Sequence, residues 1–549
     1  MNIKFKIGVL AIIGMMSSCE DYLVEEPPIF ISASNYWQTE GDARTAVDGA
    51  YEQLHSQHNR WWACVDAYTD DQVNRSDDDF GSHTVSSTTD MWERFDIYRD
   101  WWRGIGRANN VIENVPSIDM DNDEKNAILG EARALRALYY FHLVKNWGDQ
   151  PLMDSAVKVE ADFKKQRVDT DIIYDDIIIP DLKFAEEFCK DQLHDGHITK
   201  WSAKIILADV YLTRAGWRMT SKGDKVQGDP VNWELAKEKA KDIIDNSPHA
   251  LNTVGKVDGK IVTPAYGMSW DLDNPFTPES MLEISYYPVL GLGNWMSRES
   301  NPHAFGVGYW GGANDTPLIS EGITQTVRQM DFPGNPPGVG RYIPTPDFYD
   351  AFEPGDERRD YSILTRFDTN DGGTYLCQPT FRKYIDISYY VGEEGTSFQY
   401  TNSNIILYRY ADALLIYAEA QNEADGSPNG DAYNAINEIR NRAGLANLTP
   451  GLAQSDFRDA VLQERRVELN AEFKRKSDLR RTNRLASATA NINLDWSPAQ
   501  GAAGDYRRVG ALYYANRYPY PDHEWIWPIP ESEMQLNSEN NWYQNAGYK

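Results

Sequence analysis

The stretch GEARALRALYYFHLVKNWGDQPL, Gly130 to Leu152, decides the fold of this 549-residue chain. Within it Ala132, Leu135, Tyr139 and Leu143 recur at steps of three and four residues. That spacing places side chains on one face of an α-helix. The Gly-Asp-Gln-Pro-Leu ending contains the residue types that stop a helix. The stretch therefore predicts a long helix with a defined exit.

The same helical period returns in six other segments. They lie at 43–54, 203–211, 236–244, 411–422, 435–439 and 460–468. Paired helices with small residues at close-packing points predict a mainly α fold of tetratricopeptide-like helical repeats. Between about Asn252 and Asn404 the period fades, and Gly, Pro and aromatic residues take over. Long irregular loop insertions are therefore expected to interrupt the repeats.

The composition limits the classes of ligand. The chain has 54 basic and 83 acidic residues, a formal net charge of −29. Such a field repels phosphate backbones and offers no counterion release, so nucleic acid and anionic lipid surfaces are not expected as ligands. The 17 Trp and 32 Tyr residues must fill a core or stand at binding surfaces.

The N-terminus has the pattern of an export signal. Lys4 and Lys6 precede an apolar stretch from Ile7 to Met16, and two serines lead to Cys19. A stable transmembrane helix needs about 20 apolar residues, so this stretch is too short. The Met-Ser-Ser-Cys ending resembles a bacterial lipobox, which implies that Cys19 is acylated and anchors the protein to a membrane. If lipid consumes Cys19, three cysteines remain and cannot all pair, so no disulfide framework is implied.

The sequence contains none of the specific catalytic motifs. There is no HExxH zinc motif, no Walker phosphate loop and no Gly-x-Ser-x-Gly elbow. No catalytic residue, cofactor or metal site is therefore predicted. Two histidine pairs, His194 with His197 and His55 with His58, lack a further clustered ligand, and we interpret them as surface residues.

Four segments together resemble one protein family. They are Gly130 to Leu152, Tyr408 to Glu423, Ala435 to Leu445 and Glu464 to Arg481. Their motifs and their order resemble those of the SusD/RagB proteins, and the closing WPIPESEMQLN and QNAGY also match. The resemblance covers nearly the whole mature protein and implies one integrated helical-repeat unit.

The family motifs predict structural roles for their own residues. The motif tryptophans Trp37, Trp147, Trp201 and Trp527 are expected to pack in the core. The motif charges are expected to form ion pairs that lock neighbouring helices. They are Arg133, Arg136, Arg409, Arg440, Glu464 and Glu468.

Two departures from the family are visible, and we interpret both as local packing changes. Lys476-Ser477 stands where the family usually has a Trp and a second aromatic residue, and Ala546 replaces a Pro.

The resemblance and the helical period together predict a division of the chain. It comprises a signal peptide (1–18), a lipidated tether (19–34), an N-terminal helical-repeat region (35–250), an irregular ligand-binding insertion region (251–404) and a C-terminal region packing on the same frame (405–549).

The resemblance also implies a function. Proteins of this type are outer-membrane lipoproteins that face the cell exterior, capture oligo- or polysaccharide and deliver it to a SusC-like TonB-dependent transporter, without catalysis. The alternatives are a lipoprotein that captures peptide for a peptide importer and, third, a surface glycoside hydrolase.

Some family members hold a structural calcium ion, but the sequence assigns it no ligands. Asp119-x-Asp121-x-Asp123 lacks the Gly and Glu that complete a calcium loop, and it is expected to cap the next helix.

A glycan site needs exposed aromatic faces flanked by polar side chains. Two clusters have this composition, one between Arg60 and Trp102 and one in the insertion. The predicted ligand-binding residues are Trp62, Tyr68, Asp71, Asn74 and Trp92 in the first cluster, and Trp270, Asn294, Trp295, Tyr309 and Trp310 in the second. Trp295 and Trp310 rank highest, because glycines around them favour exposed loop tips. Core packing is the competing interpretation for each single Trp.

Overall fold

The structure is a computed structural model, and it describes the chain from residue 36 to residue 548 with gaps. The described ranges are 36–58, 65–66, 69–74, 92–257, 260–289, 292–296, 300, 342–368, 374–385, 401–493 and 521–548. Within these ranges no helix is long and apolar enough to cross a membrane. The predicted signal peptide, Cys19 and the tether lie outside the described residues.

The described part is mainly helical, as the period predicts. The α-helices are α1 (Glu40–His58), α2 (Trp92–Asn114), α3 (Asn122–Trp147), α4 (Thr170–Ile173), α5 (Ile179–Phe188), α6 (Lys200–Ala215), α7 (Val231–Asn246), α8 (Pro346–Tyr349), α9 (Glu357–Ser362), α10 (Tyr410–Asp425), α11 (Gly430–Arg442), α12 (Gln454–Glu468), α13 (Arg475–Arg481), α14 (Leu485–Ala488) and α15 (Glu531–Leu536). A single π-turn, Tyr174–Ile178, joins α4 to α5.

The strands are short and pair antiparallel in twos. The pairs are β1 (Gln72–Asn74) with β9 (Tyr342–Pro344), β2 (Gln150–Pro151) with β3 (Arg167–Val168), β4 (Trp217–Met219) with β5 (Lys225–Gln227), β6 (Gly255–Val257) with β7 (Lys260–Thr263), β8 (Ser280–Ile284) with β12 (Ile405–Arg409), and β10 (Ile363–Asp368) with β11 (Thr374–Phe381). Half of these strands, β6 to β11, lie in the insertion, so its described part is irregular but tied together by strand pairs.

Helix α3 lies at the centre of the fold and contains most of the stretch from Gly130 to Leu152. It begins where the Asp121 side chain accepts hydrogen bonds from the N–H groups of Asp123 and Glu124, at 2.9 and 3.1 Å. This confirms that the acidic run caps the helix. The helix ends at Gly148, whose φ of +71° suits glycine. Nearly every residue from Ala127 to Trp147 is buried, so α3 is packed on all sides.

The helices pack stepwise along the chain. Each of α1, α2, α3, α5, α6 and α7 contacts the next of that series, and α7 then contacts α10, which packs against α11 and α12. The frame therefore continues from α7 to α10 across the insertion. This order fits stacked helical hairpins of the tetratricopeptide type.

Buried ion pairs join the C-terminal helices to the insertion, as the motif charges predict. The Arg409 guanidinium is fully buried and donates to Glu279 at 2.6 Å and to Glu472 at 2.9 Å. Arg358 of α9 donates to Glu464 at 2.6 Å and to Glu468 at 2.9 Å. Since an unpaired buried charge is strongly destabilising, these contacts hold β8, α9 and β12 against α12.

The motif charges of α3 also have structural partners. Arg136 donates to both carboxylate oxygens of Asp181 on α5, at 2.7 and 2.9 Å, and Arg133 reaches the same carboxylate at 3.2 Å. Arg440 of α11 pairs with Glu464 at 3.2 Å. The ion-pair prediction is therefore confirmed.

The packing prediction holds for the motif tryptophans. Trp147, Trp201 and Trp527 are buried, and Trp37 is partly buried against the core. The prediction for His194 is wrong, because this residue is buried and not at the surface. Its ring nitrogens lie 2.8 Å from the carbonyl oxygen of His197 and 2.8 Å from the backbone nitrogen of Glu283. His194 therefore links the loop that precedes α6 to β8. His197 is exposed.

Candidate functional site

The described part of the first predicted cluster is held against the C-terminal helices. Asp71 is buried, and its carboxylate accepts a hydrogen bond from Arg466 of α12 at 2.5 Å. Arg475 of α13 binds the neighbouring Asp70 at 2.6 and 2.9 Å. The carboxylate of Asp71, which the sequence predicted to bind ligand, is therefore buried and held by Arg466.

Burial dominates the electrostatics of this anchor. It raises the pKa of Asp71, and the like charge of Asp70 raises it further against the opposing pull of Arg466. Burial also raises the pKa of Asp66 to about 6, although the backbone N–H groups of Lys476 and Arg475 donate to its carboxylate. The anchor thus keeps carboxylates in a poorly solvated place.

The rest of the first cluster is described only in part. Trp62 and Tyr68 lie outside the described residues. The backbone of Asn74 ends β1 opposite Tyr342 of β9, and the backbone of Trp92 begins α2. The β1–β9 pair therefore joins the first cluster to a strand that follows the second cluster in sequence.

Trp270, in the second cluster, covers the buried ion pairs. It is 9% exposed, and the ammonium group of Lys383 lies 4.1 Å above its ring centroid. The ring of Tyr266 packs beside it at 5.1 Å. The prediction that Trp270 offers a face to ligand is wrong, because that face is occupied by cations that the surrounding carboxylates hold in place.

Asn294 is completely buried and holds the neighbouring chain. Its side-chain amide donates to the carbonyl of Ser403 at 2.5 Å, and its side-chain oxygen accepts from the N–H of Met296 at 2.7 Å. Its backbone pairs with Thr401. The side chain of Asn294, which the sequence predicted to bind ligand, is therefore buried and fixes the loop that bears Trp295.

Trp295 is partly exposed and adjoins an apolar surface that the sequence did not single out. Tyr287 is 65% exposed, Leu292 53% and Val289 42%. We call Tyr287, Val289, Leu292 and Trp295 together the loop surface. Tyr309 and Trp310 lie outside the described residues.

The loop surface is an ordered turn, not a loose tip. The N–H of Tyr287 donates to the carbonyl of Leu292 at 2.8 Å, and the N–H of Leu292 donates to the carbonyl of Val289 at 3.1 Å. His55, near the end of α1, contacts the carbonyl of Leu292 through its Nε2 at 2.9 Å. The turn is thus closed on itself and held to the helical frame.

Tyr286 provides the second anchor of this turn. Its ring packs on that of His55 with centroids 4.4 Å apart, and its hydroxyl donates to the carbonyl of His55 at 2.9 Å. Burial raises the pKa of Tyr286 well above its ordinary value, so it stays a neutral donor. An exposed Tyr287 ring on an anchored turn can stack on an apolar ligand face.

Sequence reasoning selected Trp295 but missed Tyr286, Tyr287, Leu292 and His55. The signal was present in ISYYPVLGLGNW, residues 284–295, where aromatic residues are followed by Pro and Gly. In the described residues no group of three or more His, Cys, Asp or Glu side chains is placed to hold a metal ion.

The repeat frame, the insertion locked to it and the aromatic turn define a helical-repeat protein with an exposed aromatic turn on one of its loops. The sequence model of the SusD family matches residues 353–548, and a second model, described as starch-binding and associating with the outer membrane, matches residues 29–212. Together they cover well over half of the chain. The chain belongs to the SusD/RagB family.

Relatives and solved structures agree with this assignment. A SusD-like protein of Formosa agariphila is 26% identical, with 98% of this chain and 97% of that protein covered. The starch-binding protein SusD of Bacteroides thetaiotaomicron is 33% identical over 27% of this chain and 22% of its own length. The second of these names describes a binding protein, which agrees with the prediction that this chain is not an enzyme.

Among solved structures, a SusD homologue from Bacteroides thetaiotaomicron has a TM-score of 0.71 at 22% identity, covering 94% of this chain and 98% of its own. A laminarin-binding SusD-like protein has a TM-score of 0.67 at 22% identity, covering 93% and 100%. At these identities the likeness concerns the fold.

Proposed function

We propose that this protein is a cell-surface lipoprotein that binds oligo- or polysaccharide and delivers it to a SusC-like TonB-dependent transporter, without altering the glycan. The family assignment supports a binding role, and the names of relatives that bind starch or laminarin support a glycan as ligand. The description of the second sequence model supports association with the outer membrane. Acylation of Cys19 is proposed as the means of attachment.

The exposed Tyr287, on an anchored turn of the loop that also bears the partly exposed Trp295, is the single observation that carries the proposal. Sugar rings present C–H faces that stack on aromatic rings, and the site needs little reorganisation because the turn is held by His55 and Tyr286. One such contact contributes only about 0.5–1.5 kcal/mol beyond area burial. A single short oligosaccharide is therefore expected to bind weakly, and a polymer more tightly through repeated contacts.

The proposed delivery to a transporter follows from family membership. In this proposal the protein covers the transporter barrel as a lid. The lid would open to admit the ligand and close for transport. We also propose that residues 251–404 act as the ligand-binding insertion, while 35–250 and 405–549 form the frame that carries it.

A glycan-array screen of the purified protein, followed by affinity electrophoresis in the polymer it selects, tests the proposal. Tyr287→Ala and Trp295→Ala should each weaken retention about two- to tenfold, since each removes one stacking face. Phe163→Ala is the matched control, because Phe163 is 61% exposed but lies in a different segment; its retention should equal that of the native protein. Retention of peptides but of no glycan would overturn the proposal in favour of peptide capture, and retention unaffected by both loop variants would overturn the site.

A further inference from the structure

A cleft of about 310 Å³ lies in the helical frame. It is bounded by the C-terminal ends of α3 and α6, the β4–β5 hairpin, α13 and the segment around Trp525. That volume is at the lower end of the range of ligand pockets in proteins. It has room for a small ligand or for the end of a larger one.

The cleft is separate from the loop surface. Near the start of α6, the Ser202 hydroxyl donates to the carbonyl of Met281 on β8, the strand that leads to Tyr286. The cleft lies at the other end of α6, at Thr213 and Arg214. At a rise of 1.5 Å per residue, Ser202 and Thr213 are roughly 16 Å apart along α6. One sugar unit therefore cannot occupy the cleft and the loop surface together.

One wall of the cleft is a row of paired planar groups. Arg214 donates to Asp175 at 2.7 Å, and Arg218 donates to Asp171 at 2.6 Å. Arg214 also lies 3.5 Å from Asp171. These side chains are partly exposed, so they present ordered donors and acceptors to the solvent.

The charges around the cleft are largely paired. The charged side chains that line it are Lys145, Arg214, Arg218, Arg480, Arg481, Asp171, Asp175 and Asp229. Arg214 and Arg218 pair with the aspartates of the wall, Arg481 pairs with Asp478 at 2.8 Å, and Lys145 lies 3.8 Å from Asp209. Arg480 donates to the backbone carbonyl of Lys145 at 3.0 Å. The formal net charge of −29 adds a repulsive field for anions. A neutral ligand rich in hydroxyl groups fits this arrangement, because carboxylates accept and guanidiniums donate hydrogen bonds to hydroxyls.

The cleft also has aromatic walls and unused polar atoms. Trp217 is half-buried there. Trp525 is 2% exposed, and its indole N–H has no hydrogen-bond partner within the described ranges, nor does the Thr213 hydroxyl. Buried polar groups are rarely left without a partner. Both residues line the cleft, and these two polar atoms are buried behind its surface.

A small side chain keeps the cleft open. Ser477 of α13 lines it at the position where the SusD family usually has an aromatic residue. The second departure, Ala546, lines a neighbouring cavity of about 300 Å³ together with Met219, on the same hairpin. The two positions at which this chain departs from the family motifs, Ser477 and Ala546, therefore line cavities beside the β4–β5 hairpin.

We propose that the cleft is a second carbohydrate-binding site, which takes one or two neutral sugar residues. The proposal rests on the proposed function for its ligand class. Trp217 would contribute the stacking face. The paired side chains of the wall, Asp171, Asp175, Arg214 and Arg218, would bind the hydroxyl groups. A glycan held at both the cleft and the loop surface would bind more tightly than at either.

Saturation-transfer NMR on the purified full chain tests this site, with maltose, cellobiose, laminaribiose, mannobiose and xylobiose as probes. At least one disaccharide should bind the native protein and the Tyr287→Ala variant alike. Ser477→Phe, which fills the cleft, should abolish that binding, and Trp217→Ala should weaken it about three- to tenfold. Asp171→Asn is the conservative variant that removes one charge of the wall and should also weaken binding, so the test stands if Ser477→Phe does not fold.

Two results would overturn the second site. One is the absence of binding by all five disaccharides, and the other is binding that Tyr287→Ala removes while the cleft variants retain it. If a polysaccharide is still retained in affinity electrophoresis in either case, the proposed function stands and only the cleft is rejected. If neither polymer nor disaccharide binds, both proposals fail.

Discussion

The hydroxyl of Tyr286 donates a hydrogen bond to the backbone carbonyl of His55, although the two residues are 231 positions apart in the chain. Through this contact the end of α1 supports the turn that exposes Tyr287. The binding surface is thus joined to the helical frame at its base. The contact between Tyr286 and His55, the ion pairs of Arg409, the burial of Asp66 and the proposed acylation of Cys19 each lead to a testable prediction.

Tyr286→Phe should lower glycan affinity, because the turn loses an anchor while its exposed rings remain. The lost hydrogen bond should cost about 1 kcal/mol of the free energy of unfolding, measured by urea denaturation. Tyr98→Phe is the matched control, since the buried Tyr98 hydroxyl donates to Gln150 at 2.9 Å away from the turn. It should lose similar stability and no glycan affinity. Equal affinity of both variants would show that the anchor is irrelevant to binding.

Arg409→Met should destabilise the protein by about 3–5 kcal/mol, because it leaves Glu279, Glu468 and Glu472 buried without their shared partner. Chemical denaturation measures the change. Arg103→Met is the control: its side chain is 56% exposed and pairs with Asp100 at 2.9 Å, a surface pair worth at most about 1 kcal/mol. A small effect at Arg409 would contradict the role given to this network.

The stability contributed by Asp66 should decrease as pH rises. Burial raises its pKa in the folded protein to about 6 from an ordinary value near 3.8. The folded state therefore binds this proton more tightly than the unfolded state, and the stabilisation is complete below about pH 3.8 and lost as pH rises through about 6. The native protein should exceed Asp66→Asn in unfolding free energy by more at about pH 5 than at about pH 7.5. A difference independent of pH would refute the raised pKa.

Cys19→Ala should release the protein from the membrane fraction of the cells that export it. Acyl chains on this cysteine are the proposed anchor, and their removal leaves no comparable attachment. Fractionation with immunoblotting measures the distribution, and Cys189→Ala is the control, since Cys189 is buried in the fold. Retention of Cys19→Ala in membranes would reject the lipid anchor.

Part of the candidate site could be predicted and part could not. The glycines around Trp295 indicated an exposed loop tip, and Trp295 is partly exposed. Trp270, in similar surroundings in the sequence, is buried under Lys383. Composition does not distinguish them, because burial depends on which distant charges gather above a ring.

For the polar residues, too, the sequence does not show which side chains are free to bind ligand. Asp71 and Asn294 have side chains suited to sugar hydroxyls, but Arg466 and the Ser403 carbonyl occupy them. These partners are 395 and 109 residues away in the chain. No local pattern encodes such contacts.

The sequence by itself determined the helices, their caps and the charges that pair between them, because helical period and capping are set by residues a few positions apart. The tertiary structure decided which aromatic rings face the solvent, how His55 meets Tyr286, and that a cleft remains beside Ser477. Those outcomes depend on chain segments brought together by folding, whose mutual packing leaves no periodic trace in the sequence.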